Sequence, residues 1–134
     1  MTKIKHIDLS RFIEAQESHY ERALAEIKSG KKISHWMWYI FPQLSGLGHS
    51  KTSQLYAIGN LEEAREYLGH EILGKRLVEI SDELLKLEEN NASNILGSPD
   101  DLKLKSSMTL FCQVDKATSV FQKVLDKFFD GSYD

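Results

Sequence analysis

The sequence predicts an all-α fold in a single compact domain spanning residues 1–134, with roughly six to seven helices, several of them short. Apolar residues recur at intervals of three and four along most of the chain, which is the period of a helix. No segment alternates polar and β-branched residues as strands do. No repeat or Pro/Ser-rich linker divides the chain, and its 134 residues are a typical length for one domain.

The N-terminal region predicts two helical segments. Asp8 is placed to cap a short turn that runs through Phe12. Ser18 and Glu21 have the spacing of a capping box, in which the hydroxyl reaches forward and the carboxylate reaches back. We therefore expect a second helix to begin at Ser18 and to end at Gly30.

A short apolar helix follows and leads into a loop. Ser34 is its predicted start, and Pro42 ends it because proline disfavours helical conformation in the residue before it. Residues 43–50 contain two glycines, and this composition predicts a loop. A further helical turn is expected through Tyr56.

The clearest helix lies in the middle of the chain. Asn60 and Glu63 predict a capping box for the helix that precedes it. The apolar stripe of the central helix consists of Leu73, Leu77, Ile80, Leu84 and Leu87, at spacings of four, three, four and three. Charged residues occupy the rest of its surface, so the stripe should face the core. Asn90 and Asn91 mark its expected end.

Two helices are predicted in the C-terminal third. Residues 98–101 read Ser-Pro-Asp-Asp, in which serine caps, proline fits the first helical position and the carboxylates face the positive end of the helix dipole. This helix should run through Phe111. The last helix covers residues 117–128, and Gly131 is placed to close it.

Charge and composition exclude several functional classes. The net charge of −3 and the pI near 6.0 argue against nucleic-acid binding, which depends on clustered Lys and Arg. No apolar run is long enough to span a bilayer, and no signal peptide is recognisable, so we expect a cytoplasmic protein that does not contact membranes. The single cysteine, Cys112, has apolar neighbours and predicts a buried thiol rather than a nucleophile.

Residues 35–43 form the first segment that could carry function. Both tryptophans of the chain, Trp36 and Trp38, lie here, and residues two apart on a helix point about 200° away from each other. Either the whole segment is core, or one indole lines a pocket. His35 is a core or capping histidine or, if it faces a cleft, a base. Gln43 follows, and its side-chain amide is a candidate for recognising a ligand by hydrogen bonds.

Two further segments are candidates for the same pocket. Gly46, Gly48 and Ser50 belong to a loop whose backbone N–H groups could approach an anion, although the pattern favours a plain turn. Residues 98–109 place Asp101, Lys103 and Ser106 on one helix, together with other hydroxyl residues that are poor helix formers. That composition fits close backbone packing or a polar pocket. No His or Cys pair has metal-ligand spacing, so neither metal nor cofactor is expected.

These segments resemble a bacterial family known as domain of unknown function (DUF) 1810. The similarity extends from about Asp8 to Gly131. It rests on Ser34-His35-Trp36-Met37-Trp38, Ile40-Phe41-Pro42-Gln43-Leu44, Tyr56-Ala57-Ile58 and the segments at residues 97–104 and 106–111. The resemblance implies an all-helical single-domain fold and supplies no activity, cofactor or catalytic residue. Family members usually continue past this region with a few more polar and leucine-rich residues, whereas this chain stops at Asp134.

Two functional hypotheses follow from the sequence. In the first, the chain binds or turns over a small anionic or nucleotide-like ligand in a pocket between residues 35–43 and the helix that begins near residue 98; Trp stacking, Gln43 and Lys103 would suit such a ligand. In the second, the aromatic segment is core and the chain is a protein-interaction module without catalytic activity. A similar order of closing helices also resembles all-helical glycosidases that act on ADP-ribose-linked metabolites, which is an analogy of pattern only.

Overall fold

A computed structural model describes residues 8–46, 50–114 and 119–133, and within these residues the fold is helical, which confirms the all-α prediction. The described part contains eight helices, one more than the upper predicted count. They are α1 (Ser10–Ser29), α2 (Met37–Ile40), α3 (Lys51–Leu55), α4 (Leu61–Gly69), α5 (Leu73–Leu85), α6 (Ala92–Leu96), α7 (Asp100–Val114) and α8 (Ser119–Phe129). The extra helix is α6, which the Asn91 side chain caps by accepting from the Ser93 N–H at 2.9 Å.

The core lies between the long helices, with α5 against α1, α4 and α8, and α7 against α4, α6 and α8. Leu77, Ile80 and Leu84 of α5 are at most 1% exposed, which confirms the predicted stripe. Leu87 is partly buried beyond the end of the helix. The ring of Phe111 on α7 lies in this core and packs against the Tyr67 ring of α4 and the Phe121 ring of α8.

The N-terminal helix differs from the prediction because it is continuous. Ser18 is exposed inside α1, so no helix begins there. Phe12, Gln16 and Tyr20 are buried four residues apart, and this unbroken buried face keeps the helix intact across Ser18. The ends agree better: Asp8 accepts from the Ser10 N–H at 2.9 Å, and Gly30 terminates the helix with φ +87°.

Two other predicted helix starts are wrong, and hydrogen bonds explain both differences. The apolar helix begins at Met37 rather than Ser34, because the Ser34 N–H and hydroxyl both donate to Glu26 instead of capping a helix. The helix predicted to start at Ser98 begins at Asp100. There the carbonyls of Gly97 and Pro99 accept the N–H groups of the first turn, which leaves no capping role for the Ser98 side chain.

The central helix ends earlier than expected, at Leu85 rather than near Asn90. Lys127 of α8 supplies the physical reason. Its Nζ donates to the carbonyls of Leu84 at 3.1 Å and Leu85 at 3.2 Å, and also to that of Leu87. These are carbonyls that a helix end leaves without intrahelical partners. A side chain distant in sequence therefore caps the C-terminal end of α5.

The predicted capping box at α4 is confirmed in altered form. The Asn60 side chain accepts from the Glu63 N–H at 2.8 Å. The Glu63 carboxylate reaches back to the N–H of Gly59 at 2.6 Å rather than to that of Asn60. At the other end of the chain, Gly131 follows α8 with φ +75° and donates its N–H to the Leu125 carbonyl, as the predicted closing glycine should.

Candidate functional site

A cavity of about 100 Å³ lies where α2, the loop after it and α3 meet. Two segments form most of its wall: residues 43–46, and residues 53, 54, 56 and 57. They are joined by the only bridge within the described residues, in which Ile58 donates to the Gln43 carbonyl and accepts from the Ser45 N–H, both at 2.7 Å. Ligand pockets commonly measure roughly 300–1,000 Å³, so this cavity suits one ring or functional group rather than a whole large ligand.

Gln43 is the most unusual side chain in the wall. It is 6% exposed, and its Nε2 has no hydrogen-bond partner within the described residues. The other buried glutamine, Gln16, is 1% exposed and fully used: its Nε2 donates to the Tyr39 carbonyl at 2.7 Å and to the Tyr67 hydroxyl at 2.9 Å. Buried polar groups are paired in nearly all native structures, so the Gln43 nitrogen is an exception that requires an explanation.

The aromatic residues of the wall also have hydrogen-bonding capacity to spare. Neither the Trp38 indole N–H nor the Tyr56 hydroxyl forms a hydrogen bond within the part of the chain that the structure describes. The Tyr56 ring packs 5.1 Å from that of Tyr39, which fixes its position against α2. All the described wall residues are uncharged. The described part of the wall therefore offers ring surface and donors, and none of its residues carries a charge.

A positive charge lies against the ring of Trp38, one of the residues that line the cavity. The Lys103 Nζ of α7 is 4.0 Å from the centre of the Trp38 ring and 3.0 Å from Asp100 Oδ1. The other oxygen of Asp100 pairs with Lys32 at 2.9 Å. Burial would raise the pKa of Asp100, but the hydrogen bonds from the two lysines lower it below its ordinary value. Two ammonium groups thus share one carboxylate, which leaves a net positive charge next to Trp38.

Trp36 belongs to the core, and it reveals a residue that sequence reasoning missed. Its indole is 1% exposed and donates to Glu26 at 2.9 Å. The Glu26 carboxylate also accepts from the Ile33 N–H and from the N–H and hydroxyl of Ser34. Burial would raise the pKa of Glu26, yet these hydrogen bonds lower it to about 2. Glu26 is therefore an ionised buried acceptor that orders the chain leading into α2.

The structure brings some of the predicted site residues together. Trp38, Gln43 and Gly46 line the same cavity, and Lys103 lies against the Trp38 ring without lining the cavity itself. The wall also contains Tyr56, which the sequence reading left outside the site. Its only sequence signal was its place in the Tyr56-Ala57-Ile58 motif of the family resemblance.

Other predicted residues lie outside this cavity. His35 is exposed and contributes only its carbonyl, which accepts from the Tyr39 hydroxyl at 3.1 Å. Ser50 caps α3 by accepting from the Ser53 N–H at 3.0 Å. Asp101 and Ser106 lie on α7 and do not line the cavity, and a buried oxygen of Asp101 has no partner within the described residues. Gly48 falls outside the described residues.

Cys112 carries the one thiol of the chain. Burial raises the pKa of the Cys112 thiol to about 11, with Asp126 adding to the effect, so at neutral pH it is not a thiolate. Among the residues described, no cluster of His, Cys, Asp or Glu has the arrangement of a metal site. Within the same residues, no helix has the length and apolar character needed to cross a membrane.

Comparison with known proteins gives the family but no activity. A search of curated proteins found no match. The crystal structure of the conserved hypothetical protein Rv1873 from Mycobacterium tuberculosis is similar, with a TM-score of 0.93 and 44% identity over 95% of this chain and 91% of that one. The model of the family described as "Protein of unknown function (DUF1810)" matches residues 6–134. The chain therefore belongs to the DUF1810 family.

Proposed function

We propose that this chain binds a small anionic, nucleotide-like ligand at the cavity lined by Trp38 and Gln43. The observation that carries the proposal is the buried Gln43 Nε2 without a partner. Leaving a buried donor unpaired costs roughly 1–3 kcal/mol. A ligand acceptor that entered the cavity and bonded the Gln43 Nε2 would recover this free energy. No acceptor among the described residues of the chain bonds that nitrogen.

The chemistry of the wall selects the part of the ligand that would enter. Gln43, Trp38 and Tyr56 all offer donors, so the entering group should present hydrogen-bond acceptors. The uncharged wall and its ring surfaces favour a planar group such as a heteroaromatic base. The small volume of about 100 Å³ leaves the remainder of the ligand outside the cavity.

Lys103 supports an anionic group on the outer part of the ligand. Its ammonium group has three donors, and the structure assigns one to Asp100. The net positive charge of the Lys32–Asp100–Lys103 group would attract a phosphate or carboxylate that stays near Trp38. The same charge would repel a cationic ligand, which argues against the quaternary-ammonium ligands that aromatic sites often bind.

A thermal-shift screen tests this proposal. Nucleosides, nucleoside monophosphates, ADP-ribose and inorganic phosphate would be compared on the native chain, Gln43→Leu, Lys103→Met and the same-helix control Lys105→Met. We expect stabilisation by a nucleotide, loss of that shift in the first two variants, and its retention in the control. If no compound shifts the native chain, or if Gln43→Leu responds normally, the proposal is wrong and the protein-interaction hypothesis takes its place.

A further inference from the structure

Hydrogen bonds from a single side chain of α1, Arg11, hold the backbone around the Tyr56–Ala57 part of the cavity wall. The Arg11 Nε donates to the Leu55 carbonyl at 2.7 Å, and one of its terminal nitrogens donates to the Ala57 carbonyl at 2.9 Å. These two carbonyls lie on either side of Tyr56, the aromatic residue of this wall. The planar, forked guanidinium thus fixes the backbone at both sides of Tyr56.

The same guanidinium is itself held in place. Its nitrogen that contacts Ala57 also pairs with Glu63 at 3.2 Å, and another donates to the Asp8 carbonyl at 2.8 Å. The second oxygen of Glu63 accepts from the Gly59 N–H at 2.6 Å. Arg11 and Glu63 together therefore bracket residues 55–59 from α1 and α4.

Apolar packing does little to fix this wall apart from Tyr56 and Ile58. Leu55 is 55% exposed, so its side chain does not anchor the segment in the core. Tyr56 is only partly buried, with its ring 6.0 Å from that of Phe12. The ring of Tyr56 also packs 5.1 Å from that of Tyr39, and the Arg11 hydrogen bonds add to this packing by holding the backbone between α3 and the buried Ile58.

We infer that Arg11 is a positioning residue for the cavity: it holds Tyr56 and Ala57 at the distance from Trp38 and Gln43 that gives the cavity its shape. The inference rests on the proposed function only in treating the cavity as a ligand site. Lysine cannot replace Arg11, since one ammonium group cannot bond both carbonyls in the same fixed geometry.

The test compares Arg11→Lys with Arg22→Lys, an exposed position on the same helix. Amide hydrogen exchange would be measured at Ile58 and Ser45, whose N–H groups form the bridge, and at core amides of α5. Acrylamide quenching would report the accessibility of Trp38, because Trp36 is 1% exposed. Neither measurement needs a ligand, so the result stands whether or not the proposed ligand binds.

For Arg11→Lys we expect exchange at the bridge to accelerate about tenfold and Trp38 quenching to rise, while α5 amides keep their rates. Arg22→Lys should match the native chain. Should Arg11→Lys fail to fold, Glu63→Gln should give a smaller change at the same amides, because it removes the charge of one guanidinium partner but keeps an amide oxygen that can accept from the Gly59 N–H. Equal acceleration at the bridge and in α5, or unchanged exchange and quenching at the bridge, would overturn the inference.

Discussion

The two buried glutamines make a matched pair that tests whether the Gln43 amide is unpaired in the folded protein. Replacing Gln16 by Leu removes three hydrogen bonds: the two that its Nε2 donates, and one at 3.4 Å that its Oε1 accepts from Arg76. It also leaves the hydroxyl of Tyr67, a residue with 0% exposure, without its glutamine partner. A buried group left unpaired costs roughly 1–3 kcal/mol and each lost hydrogen bond about 1 kcal/mol, so Gln16→Leu should destabilise by about 2–4 kcal/mol.

Gln43→Leu should behave differently. The substitution removes a buried donor that has no partner within the described residues and puts apolar surface in its place. The free energy of unfolding should therefore stay the same or rise by up to about 1 kcal/mol. The two substitutions are chemically identical, so the difference between them isolates the pairing of the amide from the change in side chain.

Urea unfolding followed by far-UV circular dichroism measures both effects, with the slope of the transition as a check on two-state behaviour. A cost for Gln43→Leu as large as that for Gln16→Leu would show that the Gln43 amide is satisfied inside the protein. The main argument for a ligand at this cavity would then fail.

Three further predictions concern the scaffold around the site. The folded-state pKa of Glu26 is about 2 against an ordinary 4.5, so its ionised carboxylate stabilises the fold by roughly 3 kcal/mol above pH 4.5, and this stabilisation is lost as the pH falls towards 2. Urea unfolding at pH 7 and pH 3 should therefore show a smaller loss of unfolding free energy on acidification for Glu26→Gln than for the native chain. Equal losses in the two proteins would refute this. Lys127→Met should cost about 1–3 kcal/mol by removing the cap of α5, whereas the exposed Lys123→Met should cost almost nothing; equal costs would contradict the capping role. Leu84→Ala should cost about 2–5 kcal/mol through cavity formation, and a change of a few tenths in chemical denaturation would mean that the stripe does not face the core.

Local patterns predicted the helices well where apolar spacing and caps acted together. The stripe of α5 was readable because its buried residues recur at helical spacing, and Asn60 because its cap bonds only three residues ahead. Ser18 has the same local pattern but forms no cap. A capping pair predicts only what the backbone can do, and the continuous buried face of α1 outweighed it.

The site depended on contacts that no local pattern encodes. The cavity exists because residues 43–45 meet Ile58, and Arg11 bonds carbonyls more than forty positions away. The sequence brought Trp38 and Gln43 into one candidate segment, but it could not separate Trp38 from Trp36, whose indole is assigned to the core by Glu26. Tyr56 was missed as a wall residue because its role depends on that long-range pairing.

Calorimetric titration of the native chain and Gln43→Leu with nucleoside monophosphates tests the central claim most directly, because it measures whether the unpaired Gln43 donor contributes to ligand affinity. We expect saturable binding to the native chain and at least about tenfold weaker binding to a folded Gln43→Leu, since a hydrogen bond to an otherwise unpaired donor is worth roughly 1–3 kcal/mol. Equal affinities for the two proteins, or no binding of any nucleotide to the native chain, would contradict it.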